Sequence, residues 1–276
     1  MHESILVYRR FRYLRFGALL VLLCVVAYAA HQPLTAPNGG TWLGYGLGTV
    51  GALLILWLMW FGVRKRRYNK GPGLLEDWLS AHVYLGLALI VVATLHTGFQ
   101  FGWNVHTLAY GLMMVVILSG VFGVYAYMRF PAMMTENRRS LTLDQMLAQM
   151  SELDAECREV ALTLVDQVNA AVLDASENTR IGGGVLRQLS GKEPDCATAR
   201  ALVKVRTLAD QSDMSEAAPL RRLISLLTRK DELLRRARRD VQLKALMDVW
   251  LYVHVPLSFA LLAALLAHVI SVFYYW

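Results

Sequence analysis

The composition of the chain and the distribution of its charges predict an all-α integral membrane protein with five transmembrane helices. Of its 276 residues, 56% are hydrophobic and only 18% are charged, with a mean hydropathy of +0.39. An average soluble domain is about 45–50% apolar and about 25% charged. Residues 16–63, 78–128 and 249–276 contain no Asp, Glu, Lys or Arg. Since a helix needs roughly 20 apolar residues to cross a bilayer, the first two stretches accommodate two crossings each and the third accommodates one.

The basic residues predict the orientation of these helices. All 28 Lys and Arg residues lie in segments 9–15, 64–70 and 129–244, and five crossings place the three segments on one side. The positive-inside rule then assigns the amino terminus and these segments to the cytoplasm, and Trp276 to the external side. We therefore interpret the net charge of +7 as a topology signal and expect membrane lipid, and no nucleic acid, as a partner. The expected location is a bacterial inner (cytoplasmic) membrane.

The individual helices are predicted near residues 14–30, 42–62, 78–100, 106–128 and 248–274. Phe130-Pro131 is expected to end the fourth helix, because proline removes a backbone N–H donor and its ring clashes with the preceding turn. The predicted organisation is transmembrane helices one to four in residues 1–131, a cytoplasmic insertion in residues 132–247, and helix five in residues 248–276.

The insertion is predicted to be helical. Thr142 followed by Gln145 is typical of a capping box, and apolar residues then recur at steps of four and three, as in a heptad seam. The residues of this seam are Met146, Met150, Leu153, Cys157, Val160, Leu164 and Ala171. Further helical segments are expected at about 195–210 and 217–247, the second continuing into helix five at Asp248. We favour a helical hairpin packed on itself, and a docking platform for a partner protein is the alternative.

The glycines of the insertion do not form a phosphate-binding loop. The spacing between Gly182–Gly184 and the pair Gly191-Lys192 does not fit that motif. In addition, Glu193 occupies the position that requires Ser or Thr. We therefore expect no phosphate loop in this segment.

Four histidines occupy matched positions on the predicted helices three and five. His82 and His96 are 14 residues apart, and so are His254 and His268. Fourteen helical residues rotate by roughly 1400°, close to four turns, and rise by about 21 Å. Both imidazoles of a helix therefore face the same side within the ~30 Å hydrocarbon core. If the two helices are parallel, His82 pairs with His254 near the cytoplasmic side and His96 pairs with His268 near the external side.

Two such pairs suit two haem b groups. Neutral imidazoles can ligate a porphyrin iron from both faces, and iron supplies one-electron chemistry that side chains lack. A structural histidine between helices is the alternative, although ionisable residues inside a membrane are functional candidates by default. Zinc fits less well, because it prefers four clustered ligands. The sequence thus predicts a di-haem bundle of the four-helix type, with axial iron ligands His82, His96, His254 and His268.

Four glycines are weaker candidates for contact with haem. They lie on helices two and four, near the expected haem depths, and are Gly48, Gly62, Gly111 and Gly123. A residue without a side chain lets a porphyrin edge approach the backbone, but ordinary helix packing in membranes also uses small residues.

Two other histidines, His31 and His106, have no partner at matching depth. Both are expected to be interfacial residues. A contact with a haem propionate, or proton transfer at a quinone site, is the alternative for either of them.

These residues resemble two known groups of membrane proteins. His82 and His96 on helix three and His254 and His268 on helix five, with a cytoplasmic amino terminus, resemble the ferric-reductase-like and NADPH-oxidase-like transmembrane domains. The spacing is also similar to that in the haem-binding bundle of bc-type cytochrome b, whose four helices would correspond to helices two to five. The resemblance covers about residues 14–128 and 248–274 and implies two haem b groups. The long insertion fits neither group, and we recognise no flavin or nicotinamide domain.

We therefore expect a membrane di-haem b-type cytochrome, a subunit of an oxidoreductase complex, that carries electrons across the bilayer. Its expected partners are a cytoplasmic redox protein or the quinone pool on one side and an external c-type cytochrome on the other. A quinol or metal-ion reductase acting directly at a haem edge is one alternative. A non-redox membrane scaffold or sensor with structural histidines is another. No catalytic side chain is predicted, because no triad or carboxylate pair is recognised.

Overall fold

The computed structural model describes residues 7–33, 36–66, 75–139, 141–211 and 217–274, and these ranges contain helices and no strand. About 84% of the described residues are helical, which confirms the predicted all-α fold. The helices are α1 (Tyr8–Ala30), α2 (Trp42–Arg66), α3 (Leu75–Thr97), α4 (Val105–Arg138), α5 (Leu143–Ala161), α6 (Asp166–Glu177), α7 (Val185–Ser190), α8 (Ala197–Ala209) and α9 (Ala217–Tyr274).

Within the described ranges, five helices are long and apolar enough to cross a membrane, as predicted: α1, α2, α3, α4 and α9. In their most apolar windows, only 11–28% of the residues are buried by the protein itself. Large side chains such as Leu22, Leu53 and Leu118 are 58–61% exposed. An apolar surface of this extent is stable only where lipid covers it. The chain is thus built as an integral membrane protein.

The chain divides into two compact units. The first, here called the membrane unit, comprises residues 1–125 and 250–276, and the second, the insertion unit, comprises residues 126–249. In the membrane unit α1, α2 and α3 pack closely on one another. Asp77 at the start of α3 pairs with Arg9 of α1 at 3.7 Å and lies 3.4 Å from the Tyr13 hydroxyl. The first turns of α1 and α3 therefore lie at the same end of the membrane unit.

The prediction that Phe130-Pro131 ends the fourth helix is wrong, because α4 continues through Pro131 to Arg138. A proline inside a helix removes one backbone hydrogen bond. Packing offsets this loss, since Phe130 is buried against Ala126 and Leu243. The Thr135 hydroxyl also donates a hydrogen bond to the Pro131 carbonyl over 2.9 Å. Tertiary contacts therefore outweigh the local preference of the sequence.

The insertion unit has its own core, formed by α5, α6, α8 and the first half of α9. The capping box of α5 is confirmed: the Gln145 amide donates to the Thr142 hydroxyl, and the Thr142 amide donates to the Gln145 side chain. The predicted seam lies in this core, with Leu164 only partly buried. The seam is divided between two helices, because α5 ends at Ala161 and α6 begins at Asp166. The predicted continuity of residues 217–247 with helix five is confirmed by α9.

A buried ion pair lies within this core. Lys230 is only 2% exposed. Its Nζ donates to Asp154 Oδ1 over 2.5 Å and to the Ala175 carbonyl over 2.8 Å. These contacts join the first half of α9 to α5 and α6, so the Lys230 ammonium group links three helices within the core.

Candidate functional site

The four predicted histidine ligands lie on two helices of the membrane unit that run in the same direction. His82 lies near the start of α3 and His254 in the second half of α9, each 14 residues before the other histidine of its helix. His96, near the end of α3, faces His268, also near the end of α9, with a ring-centroid distance of 6.0 Å. The structure thus brings His96 together with His268, and the equal spacing gives His82 and His254 a matching depth on the two helices.

Backbone groups of α2 hold the His96 ring. Its Nδ1 donates to the Gly44 carbonyl over 2.8 Å, and because a carbonyl only accepts, the proton is on Nδ1 and the lone pair is on Nε2. The ring also packs on Gly48, where a Cβ atom would lie 2.7 Å from His96 Cε1. At Gly39 the same distance would be 3.2 Å. The ring therefore occupies space that exists because residue 48 is glycine.

His268 is held by a residue that the sequence analysis left unpaired. The Nδ1 atoms of His106 and His268 lie 2.5 Å apart, and the two rings meet edge to face, with centroids 4.6 Å apart. The expectation that His106 has no histidine partner is therefore wrong. The sequence signal that could have found this contact is depth, since His106 begins helix four at the end of the bundle where His268 lies.

His82 and His254 lie among aromatic side chains. Phe61 is 5.0 Å from the His82 ring, and the Trp250 ring is 5.4 Å from that of His254, both measured between centroids. His254 Nδ1 lies 3.1 Å from the Ser119 hydroxyl. Ser119 was not singled out from the sequence, although it is an isolated hydroxyl on the apolar helix α4. Its carbonyl also accepts a hydrogen bond from the Trp250 indole over 2.8 Å.

One ring nitrogen of this pair has no partner. His82 Nδ1 is buried and makes no hydrogen bond to any residue that the structure describes. The great majority of buried polar atoms in proteins are hydrogen-bonded, so each exception calls for an explanation such as a ligand or an ion. The Nδ1 atom of His82 is thus available to a further group, while the ring also hydrogen-bonds the backbone of Leu58.

The four predicted glycines have two kinds of surroundings. Gly48 contacts the His96 ring, and a Cβ atom at Gly123 would overlap the Trp250 indole. Gly62 and Gly111 face open space, since a Cβ atom at either residue would have no described atom within 4 Å. A glycine that was not predicted, Gly120, lies next to His254, where a Cβ atom would be 3.6 Å from the ring. Close approach of an aromatic ring to the backbone therefore explains Gly48 and Gly123.

The separation of the His96 and His268 rings is that expected for a metal held between two imidazoles. A metal–imidazole bond is about 2 Å long, so two rings on opposite sides of one metal have centroids about 6 Å apart. The separation of His96 and His268 has this value. Among the described residues, no three or more His, Cys, Asp or Glu residues are grouped to hold a metal ion. Two facing imidazoles are the protein ligands that suit a metal whose other ligands come from a macrocycle such as a porphyrin.

The chain has no significant match to a protein-family model, to a curated protein or to a solved structure. The function of the histidine pairs is therefore inferred from their own geometry and chemistry.

Proposed function

We propose that this protein is a membrane di-haem b-type cytochrome that carries electrons across the bilayer. His82 and His254 would hold one haem b, and His96 and His268 the other, as axial ligands of the iron. The observation that carries the proposal is the 6.0 Å separation of the His96 and His268 rings, together with His82 and His254 placed 14 residues before them on the same two helices. A bound haem supplies reversible one-electron chemistry at its iron.

The second nitrogen of three of these imidazoles is occupied by the protein. Nδ1 of His96 is bound by the Gly44 carbonyl, that of His254 by the Ser119 hydroxyl, and that of His268 by His106. In metalloproteins such a contact selects the tautomer and orients the ring, and it also raises the basicity of the ligating nitrogen. With Nδ1 occupied in this way, Nε2 is the nitrogen by which each of these three rings would bind an iron.

The spacing of the pairs suits a carrier that works across a membrane. Fourteen helical residues separate the two histidines of each helix, a rise of about 21 Å in a hydrocarbon core of about 30 Å. One pair therefore lies toward each face of the bilayer. The rings of Phe61 and Trp250 lie beside His82 and His254, an apolar setting that suits the macrocycle of a haem.

We further propose that the amino terminus and the insertion unit are cytoplasmic, in a bacterial inner membrane. The uneven distribution of Lys and Arg supports this orientation. The proposed partners are a cytoplasmic redox protein or the quinone pool, and an external c-type cytochrome. In this role the chain is the electron-transfer subunit of an oxidoreductase complex.

The proposal is tested on the protein purified in detergent after expression in membranes that supply haem. We expect a b-type reduced-minus-oxidised spectrum and two haems per chain by pyridine haemochrome assay. A chain that folds without haem would overturn the proposal and favour a non-redox scaffold or sensor. Rapid oxidation of the reduced chain by a ferric chelate, or its rapid reduction by a quinol, would identify it as a reductase that acts without a partner.

A second prediction concerns Gly48. Gly48→Ala is expected to displace the His96 ring, since the new Cβ atom would lie 2.7 Å from Cε1 and 2.9 Å from Nδ1. The hydrogen bond to Gly44 would then break, and the haem content should fall from two per chain to one. The matched control is Gly46→Ala on the same helix, where no described atom lies within 4 Å of the new methyl group. Equal haem content in the two variants would contradict the proposed role of His96.

A further inference from the structure

The insertion unit contains a cavity of about 470 Å³ with an excess of positive charge. Four cations and one carboxylate are among the side chains that line it. The lining side chains used here are Lys192, Glu193, Arg235, Arg238, Arg239 and Gln242. All of these lining residues belong to the insertion unit and none is a proposed haem ligand, so a ligand of this cavity would be distinct from the proposed haems.

Most of the positive charge in the cavity is not neutralised by the protein. Glu193 is paired with Arg187 at 3.4 Å, and Arg235 is paired with Asp231 at 2.8 Å. The three remaining cations form no ion pair with any carboxylate in the part of the chain that the structure describes; they are Lys192, Arg238 and Arg239.

Arg238 is the most informative of these side chains, because it is only 9% exposed. Its Nη2 donates to the Arg180 carbonyl over 2.7 Å and to Cys196 Sγ over 3.3 Å, which are uncharged acceptors. Its Nε is buried and has no hydrogen-bond partner among the described residues. A buried charge without a counter-charge is costly. An anion in the cavity would supply the missing negative charge.

The segment that contains Leu189 and Gly191 is held against α9 by side-chain contacts. The Gln242 side chain donates to the Leu189 carbonyl over 2.9 Å and accepts from Arg239 over 2.6 Å. Gly191 has a left-handed φ of 64°, and a Cβ atom there would lie 2.8 Å from the Gln242 amide. Residue 191 therefore needs to be glycine for both its backbone angle and its space. These contacts fix the backbone that lines one side of the cavity.

We infer that this cavity binds a phosphate-bearing organic anion. Guanidinium groups are suited to phosphate because their planar N–H donors match its oxygens in pairs. Small-molecule sites typically have volumes of about 300–1,000 Å³, so this cavity has room for more than a single phosphate ion. The ligand is either a soluble phosphate ester or the head group of an anionic phospholipid. Either ligand would present a phosphate group to the arginine side chains of α9. The site differs from a phosphate loop, in which backbone N–H groups bind the phosphate.

The test uses the full chain in nanodiscs of phosphatidylcholine, with inorganic pyrophosphate as the probe in isothermal titration calorimetry. We expect one pyrophosphate site per chain, weakened about tenfold by Lys192→Gln and by Arg239→Gln, since each removes one charge-assisted contact. Both side chains are exposed, so these variants should fold normally. The matched control is Arg222→Gln, which removes an exposed positive charge elsewhere on α9 and should leave binding unchanged.

A parallel measurement in nanodiscs containing phosphatidylglycerol distinguishes the two sources of phosphate. Suppression of pyrophosphate binding there, together with a phospholipid retained by the native chain and lost from Arg239→Gln in native mass spectrometry, identifies a lipid head group. Equal pyrophosphate binding in both lipids identifies a soluble ester. The inference is overturned if pyrophosphate does not bind in phosphatidylcholine, or if it binds the native chain and both cavity variants equally.

Discussion

His82→Ala and His254→Ala are expected to give the same spectrum, in which one haem is lost and the haem held by His96 and His268 remains. His96→Ala and His268→Ala are expected to give the complementary spectrum. The reason is that removal of either member of a pair leaves its iron with one axial imidazole. The measurement is the reduced-minus-oxidised spectrum of each purified variant, together with its haem-to-protein ratio.

Two other histidines provide controls of the same residue type. His31→Ala and His106→Ala are expected to retain both haems, because neither ring is a proposed ligand. His106→Ala removes only the contact to His268 Nδ1, so it should change the environment of one haem without removing it. A spectrum of His82→Ala that matched that of His268→Ala would contradict the parallel arrangement of α3 and α9.

Lys230→Met is expected to lower the free energy of unfolding of the insertion unit by about 3 kcal/mol, the lower end of the range for a broken buried ion pair. The lower end applies because Asp154 is partly exposed, at 18%. The substitution leaves both the Asp154 carboxylate and the Ala175 carbonyl without the Nζ donor. The measurement is urea-dependent pulse proteolysis of the full chain in detergent, with cleavage in the insertion unit identified by mass spectrometry.

Two further variants determine whether charge or packing causes this loss. Lys230→Met combined with Asp154→Leu should recover most of the stability, because no unpaired charge is then buried. Arg200→Met breaks two ion pairs on the surface, one with Asp174 and one with Asp195, where the arginine and both carboxylates are exposed. Its expected effect on the free energy of unfolding is much smaller than that of Lys230→Met, because exposed ion pairs contribute little. If the double variant is as unstable as Lys230→Met alone, the unpaired charge of Asp154 is not the cause of the loss. The packing of the lysine side chain would then be the cause.

The features that the sequence predicted are those that depend on one segment at a time. Five spanning helices follow from the lengths of uncharged apolar stretches, and the capping box at Thr142 follows from two residues three positions apart. The end of α4 was mispredicted because the burial of Phe130 depends on α9, which is distant in sequence. The break between α5 and α6 contains neither Gly nor Pro, so no local signal marks it.

The candidate site shows the same division between local and long-range information. The equal spacing of the histidines on two helices is visible in the sequence and predicts which rings share a depth. The partners of their second nitrogens are not visible, because they lie on other helices: Gly44 on α2, and Ser119 and His106 on α4. These contacts depend on the rotation of each helix about its axis. Helical periodicity shows which residues share a face of one helix, but it does not show which neighbouring helix that face contacts.

The close contact between Gly48 and the His96 ring restricts how this protein can diverge in evolution. Threonine could replace Ser119 and keep its hydroxyl, and another aromatic residue could replace Phe61. A side chain at residue 48, in contrast, would overlap the His96 ring. Distant relatives that keep the paired histidines are therefore expected to keep this glycine, even where the rest of α2 has changed. Glycine at this position, together with the two histidine pairs, is a pattern by which such relatives can be recognised.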